Sequence, residues 1–334
     1  MRIFIVGGTG LLGSKAAEIM INDGHDVFAL SLMVHDVKLK LPHQLQIHYG
    51  DINVMTDETL GELLKSMDAT VFAAGVDERV DFKPPVEKAY ESYNIKPLDK
   101  LLRVSKRYGV KKCVVLGSYF SYFAKEWPKL KLGIYHPYIK NRLLQETLAF
   151  SYNDDNFHTV VLELPYIFGI QVGRRPVWSK FVDLWDKPKI IFFPKGGTTM
   201  MTLTQVGYAI YHAILFGKPQ TAYPLGYKNM TWRELITIVQ KGMNQHKKIM
   251  TVPNFIAFFG FLHLKKSYEK KGFESGLNPL KFLRLMSRKA YIDPKLSDDL
   301  RIPDDDITSA IIESIAYAYE IKMKSLDVVD MKVR

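Results

Sequence analysis

The sequence contains a single cysteine, Cys113, among its 334 residues. One cysteine cannot form a disulfide within a chain, and no segment resembling a secretory signal precedes the first motif, so we expect a reducing compartment, most simply the cytoplasm. Long hydrophobic runs are also missing. The most apolar stretch, residues 255–264, is about half of the ~20 residues that a membrane-spanning helix needs. The sequence therefore predicts no transmembrane segment.

The signatures of several common chemistries are absent. The sequence has no Gly-Lys-Ser/Thr phosphate-binding loop, no set of His and Cys with the spacing of metal ligands, and no Gly-x-Ser-x-Gly motif around a serine. It also has no internal repeat and no low-complexity tract. These absences argue against a phosphate-loop nucleotidase, a metalloenzyme and a serine hydrolase, and we expect no metal site.

Acidic residues are fewer than basic ones. Lys and Arg number 46 and Asp and Glu 35, which gives a formal net charge of +11. This balance excludes an acidic disordered chain and raises the question of an anionic partner. With 47% hydrophobic and 24% charged residues, the composition is that of one large globular domain or two smaller ones.

What the sequence does contain is a glycine motif close to its start. Residues 2–6 predict a buried strand, the motif Gly-x-x-Gly-x-x-Gly follows, residues 14–23 have helical spacing, and residues 25–30 predict a second strand. In such a unit the first glycine permits a tight turn, the second lets backbone N–H groups approach a pyrophosphate, and the third lets the helix pack on the strand. A glycine-rich turn without a ligand explains three glycines at this spacing poorly. We therefore predict dinucleotide binding by the loop residues Gly7, Thr9, Gly10, Leu11, Leu12 and Gly13.

This spacing, rather than Gly-x-Gly-x-x-Gly, resembles the extended short-chain dehydrogenase/reductases of the NAD-dependent epimerase/dehydratase family. The resemblance covers nearly the whole chain. It implies an α/β fold with a doubly wound parallel sheet of the Rossmann type and a smaller C-terminal substrate-binding region. We expect the NAD(P)-binding domain at 1–169 and the substrate-binding region at 170–334, with 200–218 returning to the Rossmann core.

The resemblance also implies further cofactor contacts. Asp51 corresponds to the family's adenine-binding Asp, the strand at 71–75 to the one that passes under the cofactor, and the segment at 160–169 to the wall beside the nicotinamide carboxamide. Glu163 stands where the family often has Arg. Tyr166 could equally be a core aromatic residue. The additional contacts implied are Ser31, Asp51, Ile52, Ala73, Ala74, Gly75, Pro165, Tyr166 and Ile167, together with Tyr138 and Arg142.

The end of the second strand governs the choice between NAD and NADP. An acidic residue there would accept hydrogen bonds from the adenosine ribose of NAD, and an Arg would favour the additional phosphate of NADP. The sequence has Ser31 at this place, and the basic residues His35, Lys38 and Lys40 follow. Because no carboxylate repels the phosphate, we prefer NADP to NAD as the cofactor. The alternative is that these basic residues merely cover a solvated loop.

The catalytic residues that the resemblance implies begin with a hydroxyl and an amide. The stretch from Gly117 to Tyr122 resembles the family's S-S-x-x-V-Y-G segment, whose Ser or Thr four positions before the Tyr holds the substrate oxygen. This register selects Ser118, with Ser121 as the competing candidate, and either serine could instead cap a turn or a helix. Asn94, in SYNIKPLDKLL, resembles the Asn of the family's N-V-x-G-T-x-x-L-L helix.

The family's Tyr-x-x-x-Lys motif is altered in this chain. The sequence is Tyr138-x-x-x-Arg142-x-x-x-Glu146, with Arg in place of Lys. Residues four apart on a helix lie about 40° from eclipsed, whereas Tyr135 and Lys140, five apart, diverge by about 140°. Pro137 is well placed in the first turn of a helix and predicts that this helix starts there. Tyr138 and Arg142 therefore fit one nicotinamide ribose, with Lys140 as the competing cation. The alternative is an aromatic residue packed beside a surface pair of Arg and Glu.

These residues imply hydride transfer between the nicotinamide and a small hydroxyl or carbonyl substrate, for example a sugar nucleotide. Tyr138 would be the acid or base, and Arg142 would favour its phenolate. Oxidation, carbonyl reduction, epimerisation and dehydration share this set of residues. Because Arg does not readily release a proton, a second function stays open, namely an NADP-binding, redox-sensing regulatory protein without turnover.

Further predictions concern the substrate and partner chains. Tyr119 is a candidate substrate contact, and Arg174 and Arg175 could clamp an anionic substrate, the alternative for both arginines being solvated basic surface. The resemblance implies a homodimer through the helices that hold Asn94 and Tyr138. Lys100, Arg103, Lys106 and Arg107 make the first of these helices basic, which weakens the expectation of a homodimer but does not remove it.

The positive charge is concentrated in two stretches. Residues 96–142 contain 12 basic and 2 acidic residues, and residues 265–289 contain 8 and 2. An anionic dinucleotide accounts for the sign of the first stretch, so we expect no nucleic acid partner. Three interpretations stay open for the second stretch, which follows the aromatic run at 255–264: solvated surface, a lid over an anionic substrate, or a weak contact with a membrane surface.

Overall fold

The computed structural model describes residues 1–33 and 39–330. Its strands are β1 (Arg2–Val6), β2 (Asp26–Ser31), β3 (Gln46–Tyr49), β4 (Ala69–Phe72), β5 (Lys112–Leu116), β6 (His158–Glu163), β7 (Tyr166–Phe168), β8 (Ile190–Pro194), β9 (Gly197–Thr202), β10 (Thr221–Pro224), β11 (Lys228–Thr231), β12 (Lys248–Val252) and β13 (Lys289–Ala290). Its α-helices are α1 (Leu11–Asn22), α2 (Asp57–Leu64), α3 (Val86–Tyr90), α4 (Lys96–Arg107), α5 (Tyr119–Glu126), α6 (Leu132–Tyr135), α7 (Pro137–Ser151), α8 (Ser179–Trp185), α9 (Leu203–Phe216), α10 (Trp232–Gly242), α11 (Asn254–Lys270), α12 (Pro279–Met286) and α13 (Ile307–Lys324). A π-helical turn (Glu91–Ile95) joins α3 to α4, and short 3₁₀ helices occupy Pro128–Leu130 and Pro294–Leu300.

Seven parallel strands form the main sheet in the order β10-β6-β5-β4-β1-β2-β3. The strand order reverses between β1 and β4, so a crevice opens at their carboxyl ends, where doubly wound sheets bind ligands. Helices cover both faces, and Ile3, Phe4 and Ile5 of β1 are all fully buried, as the continuous apolar runs of parallel sheets require. The predicted α/β class with a doubly wound parallel sheet is confirmed.

Most of the predicted elements around the glycine motif form, with shifted ends. α1 begins at Leu11, three residues before the predicted start, because Gly10 has the extended conformation of a helix N-cap and the motif's last glycine is already helical. The strand predicted at 71–75 ends at Phe72. Beyond it the chain turns away from the sheet, and Gly75 has a φ of +113° that side chains rarely tolerate.

The chain returns to the main sheet after residue 200. α9 lies within the stretch predicted to return and packs on α1, where Gly207 allows the close approach, since a Cβ atom there would lie 2.6 Å from Ile19 Cδ1. β10 then pairs with β6 and places Tyr223 opposite Leu162. The division of the chain at residue 169 stays a prediction.

The rest of the second half builds a smaller unit beside the crevice. β9 pairs with β7, β11 and β13, and β8 and β12 form a separate two-stranded sheet. α10 starts at a capping box, in which Glu234 N donates to Thr231 Oγ1 at 3.2 Å and Thr231 N donates to Glu234 Oε2 at 2.7 Å. Within residues 1–33 and 39–330, no helix is long and apolar enough to cross a membrane.

Glu163, at the carboxyl end of β6, is only 1% exposed. Lys125 Nζ lies 3.1 Å from Glu163 Oε1 and 2.8 Å from Glu146 Oε1, so two carboxyl groups share one cation. Burial raises the pKa of Glu163 to about 8, and Glu146 adds to the rise, whereas Lys125 opposes it. The folded protein therefore holds a proton on Glu163 that an unfolded chain would release near the ordinary value of 4.5.

We expect this proton to make the folded state less stable as pH rises from about 5 to 8. A group whose folded-state pKa is raised destabilises the fold between its unfolded and folded pKa values, by up to ~1.4 kcal/mol per pH unit. Glu163→Gln should flatten this decline, measured as the free energy of unfolding in urea at pH 5, 6, 7 and 8. The control is Glu62→Gln, since Glu62 is exposed and pairs with the exposed Lys65 at 3.8 Å. Equal pH slopes for the Glu163 variant and the parent chain would contradict the assignment.

Candidate active site

The glycine loop lies at the carboxyl end of β1, beside the crevice. Gly7 has a φ of +88°, and Gly10 N donates to Gly7 O at 2.9 Å, which closes the turn. A Cβ atom on Gly13 would lie 2.4 Å from Gly7 O, so the third glycine is needed for the turn itself as well as for helix packing. The first turn of a helix leaves backbone N–H groups without partners inside the helix, so the start of α1 suits a pyrophosphate.

Three polar side chains bond to the backbone of Thr9 within this loop. Thr9 N donates to Ser31 Oγ at 3.2 Å, and Thr9 O accepts from Arg174 Nη2 at 3.3 Å. Gln171 accepts from Arg174 Nε at 2.6 Å, and its amide donates to Thr9 O at 3.1 Å. Burial lowers the pKa of Arg174, and across the described ranges no carboxylate lies within ion-pair distance of it. The arginine predicted as a substrate contact is thus found against the cofactor loop.

Two other basic residues named as candidates from the sequence, Arg175 and Lys40, have different partners. Arg175 lies 3.2 Å from Asp330 through its Nε atom, and its N–H donates to Val329 O. Lys40 is exposed, and its backbone N–H donates to Val172 O at 3.3 Å. His35 and Lys38, the other basic residues considered for NADP, lie outside the described residues.

The predicted adenine-binding segment follows β3. Asp51 Oδ1 accepts from Asn53 N at 2.8 Å, which forms a turn at this edge of the sheet, and Ile52 is buried beneath it. Ala73 and Ala74 lie directly after β4, at the carboxyl end of the strand next to β1. All four predicted residues follow the carboxyl ends of strands in the main sheet, as the glycine loop does.

Asn94 holds the loop after β4 in place. Its Oδ1 accepts from Val76 N at 2.8 Å, while its Nδ2 donates to Val76 O at 3.0 Å and to Asn141 Oδ1 at 2.9 Å. It is fully buried and lies in the π-helical turn, a local distortion that is frequent at functional sites. A Cβ atom on Gly75 would lie 2.5 Å from Asn94 Oδ1, so the glycine makes room for this amide. Asn94 therefore links the crevice loop to α7.

Tyr138 and Arg142 are brought together on α7, which begins at Pro137 as the sequence predicts. Arg142 Nε donates to Tyr138 Oη at 3.1 Å, and Arg142 Nη1 donates to Gln145 Oε1 at 2.6 Å and to Leu116 O at 3.3 Å. The two residues are 4% and 8% exposed. Lys140, the competing cation, has a side chain 53% exposed and pairs with Glu87 at 3.2 Å. The cation beside the tyrosine hydroxyl is thus Arg142.

Burial dominates the acidity of Tyr138. It raises the pKa of this phenol to about 12, although the charge and hydrogen bond of Arg142 act in the opposite direction. The hydroxyl is therefore protonated at neutral pH and can donate a proton directly. Acting as a base requires further positive charge nearby, which an oxidised nicotinamide would supply.

Ser118 and Tyr119 follow β5 but have different environments. Ser118 is 6% exposed and caps α5, its Oγ accepting from Phe120 N at 3.4 Å. Tyr119 is 3% exposed, and its hydroxyl lies 3.0 Å from Thr198 Oγ1. Ser118 therefore combines the capping role of the alternative interpretation with a position at the carboxyl end of a central strand. Tyr119 belongs to the aromatic interior, and we do not include it in the site.

The segment after β6 forms an aromatic wall. Tyr166 stacks on Trp178, with ring centroids 3.9 Å apart and an interplanar angle of 5°. Pro165 is buried, and Ile167 pairs with Met201 across β7 and β9. Tyr166 thus has the packing of a core aromatic residue at a position that borders the crevice.

The NAD dependent epimerase/dehydratase family model matches residues 3–183, which is more than half of the chain. The chain belongs to this family. The resemblance inferred from the glycine motif is thereby confirmed, and the family is one of NAD-dependent enzymes.

The curated proteins that are similar to this chain match only part of it. The Photosystem II assembly factor Ycf39 of Synechocystis is 30% identical over 138 residues, which are 40% of this chain and 37% of that protein. The UDP-glucose 4-epimerase of Corynebacterium glutamicum is 31% identical over 62 residues, 19% of each chain. The chain therefore spans about a third or less of the length of these relatives.

Solved structures match over the whole length. The Bordetella bronchiseptica enzyme WbmH in complex with NAD+ has a TM-score of 0.67 at 15% identity, with 97% of this chain and 99% of that chain covered. The Bacillus cereus UDP-glucuronic acid 4-epimerase in complex with UDP-glucuronic acid and NAD also has a TM-score of 0.67 at 15% identity, with coverage of 96% and 100%. At such identities the likeness concerns the fold.

The sequence predictions did not include Glu78, an acidic residue in the loop after β4. The loop held by Asn94 continues as Asp77-Glu78-Arg79, where Arg79 Nε donates to both Asp77 carboxylate oxygens at 3.0 Å and Nη1 donates to Val177 O at 3.0 Å. Burial raises the pKa of Glu78 to about 7, and the Asp77 charge adds to the rise. Glu78 acts electrostatically on Tyr138. The signal that could have identified it is a charged triplet directly after the uncharged segment 69–76, which begins with β4.

Within residues 1–33 and 39–330, no three His, Cys, Asp or Glu side chains are grouped to hold a metal ion. His136, adjacent to α7, accepts from Asn278 N at 3.0 Å, and burial lowers its pKa to about 4. This histidine fastens the C-terminal region to the start of α7.

Proposed function

We propose that the protein is an NAD(P)-dependent oxidoreductase, epimerase or dehydratase that acts on a small hydroxyl or carbonyl substrate of the sugar-nucleotide class. The observation that carries the proposal is the buried contact between Tyr138 Oη and Arg142 Nε at 3.1 Å, beside the crevice bordered by the glycine loop. Support for the substrate class comes from the UDP-sugar epimerases among the relatives and the similar structures.

In this proposal each side chain has a defined task. A nicotinamide bound in the crevice supplies or accepts the hydride. Tyr138 passes a proton to the substrate oxygen when a carbonyl is reduced and takes it back when a hydroxyl is oxidised. Ser118 holds that oxygen, and Arg142 binds the nicotinamide ribose and stabilises the phenolate. Asn94 keeps the loop after β4 in position relative to α7. Arg142 itself does not relay a proton.

The test is a search for turnover with defined substrates. The purified protein is incubated with UDP-glucose, UDP-galactose, UDP-glucuronic acid and UDP-N-acetylglucosamine, each with NAD+ or NADP+, and the products are separated by chromatography. We expect a 4-epimer, a keto sugar or a dehydrated sugar, or reduced cofactor at 340 nm, from at least one pair. Tight cofactor binding without product from these or from a wider panel of carbonyl and hydroxyl compounds would contradict the proposal.

A second candidate function is a cofactor-binding regulatory or assembly protein without turnover. Two observations favour it: an Arg that does not release protons occupies the position of the family's Lys, and a relative is named as an assembly factor. It predicts cofactor binding in the absence of any product, so the same experiment separates the two candidates.

Within this function we further propose a preference for NADP over NAD. Ser31, at the end of β2, accepts from Thr9 N, and Arg174 donates to Thr9 O, so a hydroxyl and a cation contact the same loop residue. An NAD-selective protein would have a carboxylate at the end of β2. Arg174 is separated from Ser31 by more than a hundred residues of sequence, yet it supplies the charge that the second strand lacks.

Arg174→Ala should weaken NADP binding by ~10 to 100-fold while changing NAD binding by less than about threefold, because a charge-assisted hydrogen bond to phosphate contributes ~1.5 to 3 kcal/mol. Both affinities are measured by calorimetry on the same preparation. Arg175→Ala is the matched control, since Arg175 pairs with Asp330. An equal loss for the two cofactors would assign Arg174 to the shared pyrophosphate and remove the argument for NADP.

A further inference from the structure

α11 exposes an unusual number of large apolar side chains. None of its 17 residues is buried, and the exposed fractions are 69% for Phe255, 45% for Ile256, 39% for Phe258, 66% for Phe259 and 44% for Leu264. Scattered apolar residues are normal on a surface, but a cluster of three phenylalanines on one helix marks a site of interaction.

Three of the exposed side chains lie on one face of the helix. Phe255, Phe258 and Phe259 follow the spacing i, i+3, i+4, and the half-buried Leu262 continues the series at i+7. Phe261, on another side, packs against the interior cluster. The helix is therefore anchored through one side and presents a second apolar side to its surroundings.

The sheet of β8 and β12, which leads into α11, also exposes large apolar side chains. Ile190 and Phe192 of β8 lie two residues apart and thus on one face, and Met250 of β12 is opposite Phe192 in the register. Their exposed fractions are 38%, 58% and 40%. β12 ends at Val252, and α11 begins two residues later.

The sequence segments that carry these side chains are basic as far as Glu269, in the last turn of α11. Residues 187–195 and 244–268 contain no Asp or Glu. The exposed lysines in these two segments are Lys187, Lys189, Lys195, Lys248 and Lys266. An apolar surface bordered by lysines fits a bilayer whose headgroups are anionic, because the phenyl rings enter the acyl boundary while the ammonium groups remain among the headgroups.

We propose that α11 and the β8–β12 sheet bind the surface of an anionic lipid bilayer. A second copy of the chain fits less well, since a two-fold contact through this patch would set its lysines against each other. The binding is peripheral, because α11 is too short and insufficiently apolar to span a membrane. The proposal is independent of the proposed catalytic function.

The experiment is co-flotation of the full chain with vesicles of phosphatidylcholine alone or with 30% phosphatidylglycerol. We expect at least tenfold stronger partitioning into the anionic vesicles, and a reduction of at least fivefold when the salt is raised to about 0.5 M. Phe255→Ser combined with Phe259→Ser should lower the partitioning at least tenfold. The matched control combines Leu184→Ser with Met323→Ser, two side chains that are 59% and 64% exposed on α8 and α13.

Folding of both double variants is checked by circular dichroism and thermal unfolding, and exposed positions should leave these unchanged. Lys266→Glu, which leaves the aromatic face intact, gives a second measure and should reduce binding to anionic vesicles severalfold. Three results would overturn the proposal: no preference for anionic vesicles, equal binding by the phenylalanine variant and its control, or a dimer in sedimentation equilibrium that the phenylalanine variant dissociates. The last would assign the face to a second copy of the chain.

Discussion

Tyr138→Phe should lower kcat by ~100 to 10,000-fold and leave cofactor affinity within about threefold, because general acid and base catalysis contributes a factor of this size. The substitution removes only the hydroxyl that Arg142 Nε contacts at 3.1 Å, and the ring keeps its place between Tyr90 and Phe120. Turnover is measured at saturating cofactor with whichever sugar nucleotide the substrate panel identifies, and cofactor affinity by calorimetry.

Tyr135→Phe is the control for this prediction. Tyr135 belongs to the alternative register with Lys140, and it ends α6, with Lys281 over its ring at 4.5 Å. Its hydroxyl should be dispensable, with kcat within about twofold of the parent. Near-normal turnover by the Tyr138 variant would remove Tyr138 as the acid or base, and a large loss in the Tyr135 variant alone would restore the other register.

The second large effect concerns Arg142. Arg142→Met should reduce kcat/KM by ~100-fold or more, because it removes the only cation that contacts the Tyr138 hydroxyl within the described residues. The pKa of Tyr138 would then rise further, so the pH profile of the oxidative direction should shift to higher pH. Arg142→Lys keeps a charge on the same helical face and should retain more activity than the Met variant.

The same substitutions also affect stability. Arg142 donates to Gln145 Oε1 and Leu116 O, and either variant gives up these bonds at a cost of ~1 to 3 kcal/mol for buried partners. Activity is therefore compared at a temperature where all variants are folded. Lys140→Met, at an exposed cation paired with Glu87, is the control and should stay within about twofold. A greater loss at Lys140 than at Arg142 would show that the ribose is held by Lys140.

The features that the sequence predicted well depend on local rules. The turn at Gly7 and the start of α7 at Pro137 follow from backbone geometry within a few residues, and the pairing of Tyr138 with Arg142 follows from the helical repeat. The strands of the main sheet can also be predicted from local sequence, because a strand buried on both faces must be continuously apolar.

The features that the sequence did not reveal depend on contacts between distant segments. Arg174 reaches Thr9 across 165 residues of sequence, so its place at the glycine loop requires the chain to have folded back. Glu78 is desolvated in the loop that Asn94 holds in place. The next residue, Arg79, contacts Val177 and Trp178. The burial of Tyr119 against Thr198 has the same origin. No periodicity in one segment records such neighbours.

The return of the chain through α9 and β10 has a consequence for exchanging parts between relatives. Residues 203–224 contain α9, which covers α1, and β10, the outermost strand, which pairs with β6. A protein ending at residue 169 would therefore leave an open sheet edge at β6 and an uncovered face of α1. A chimera that transplants the C-terminal half would replace these supports together with the region predicted to bind substrate. Recombination that changes specificity alone must therefore leave residues 203–224 with their own nucleotide-binding half and swap only the segments on either side.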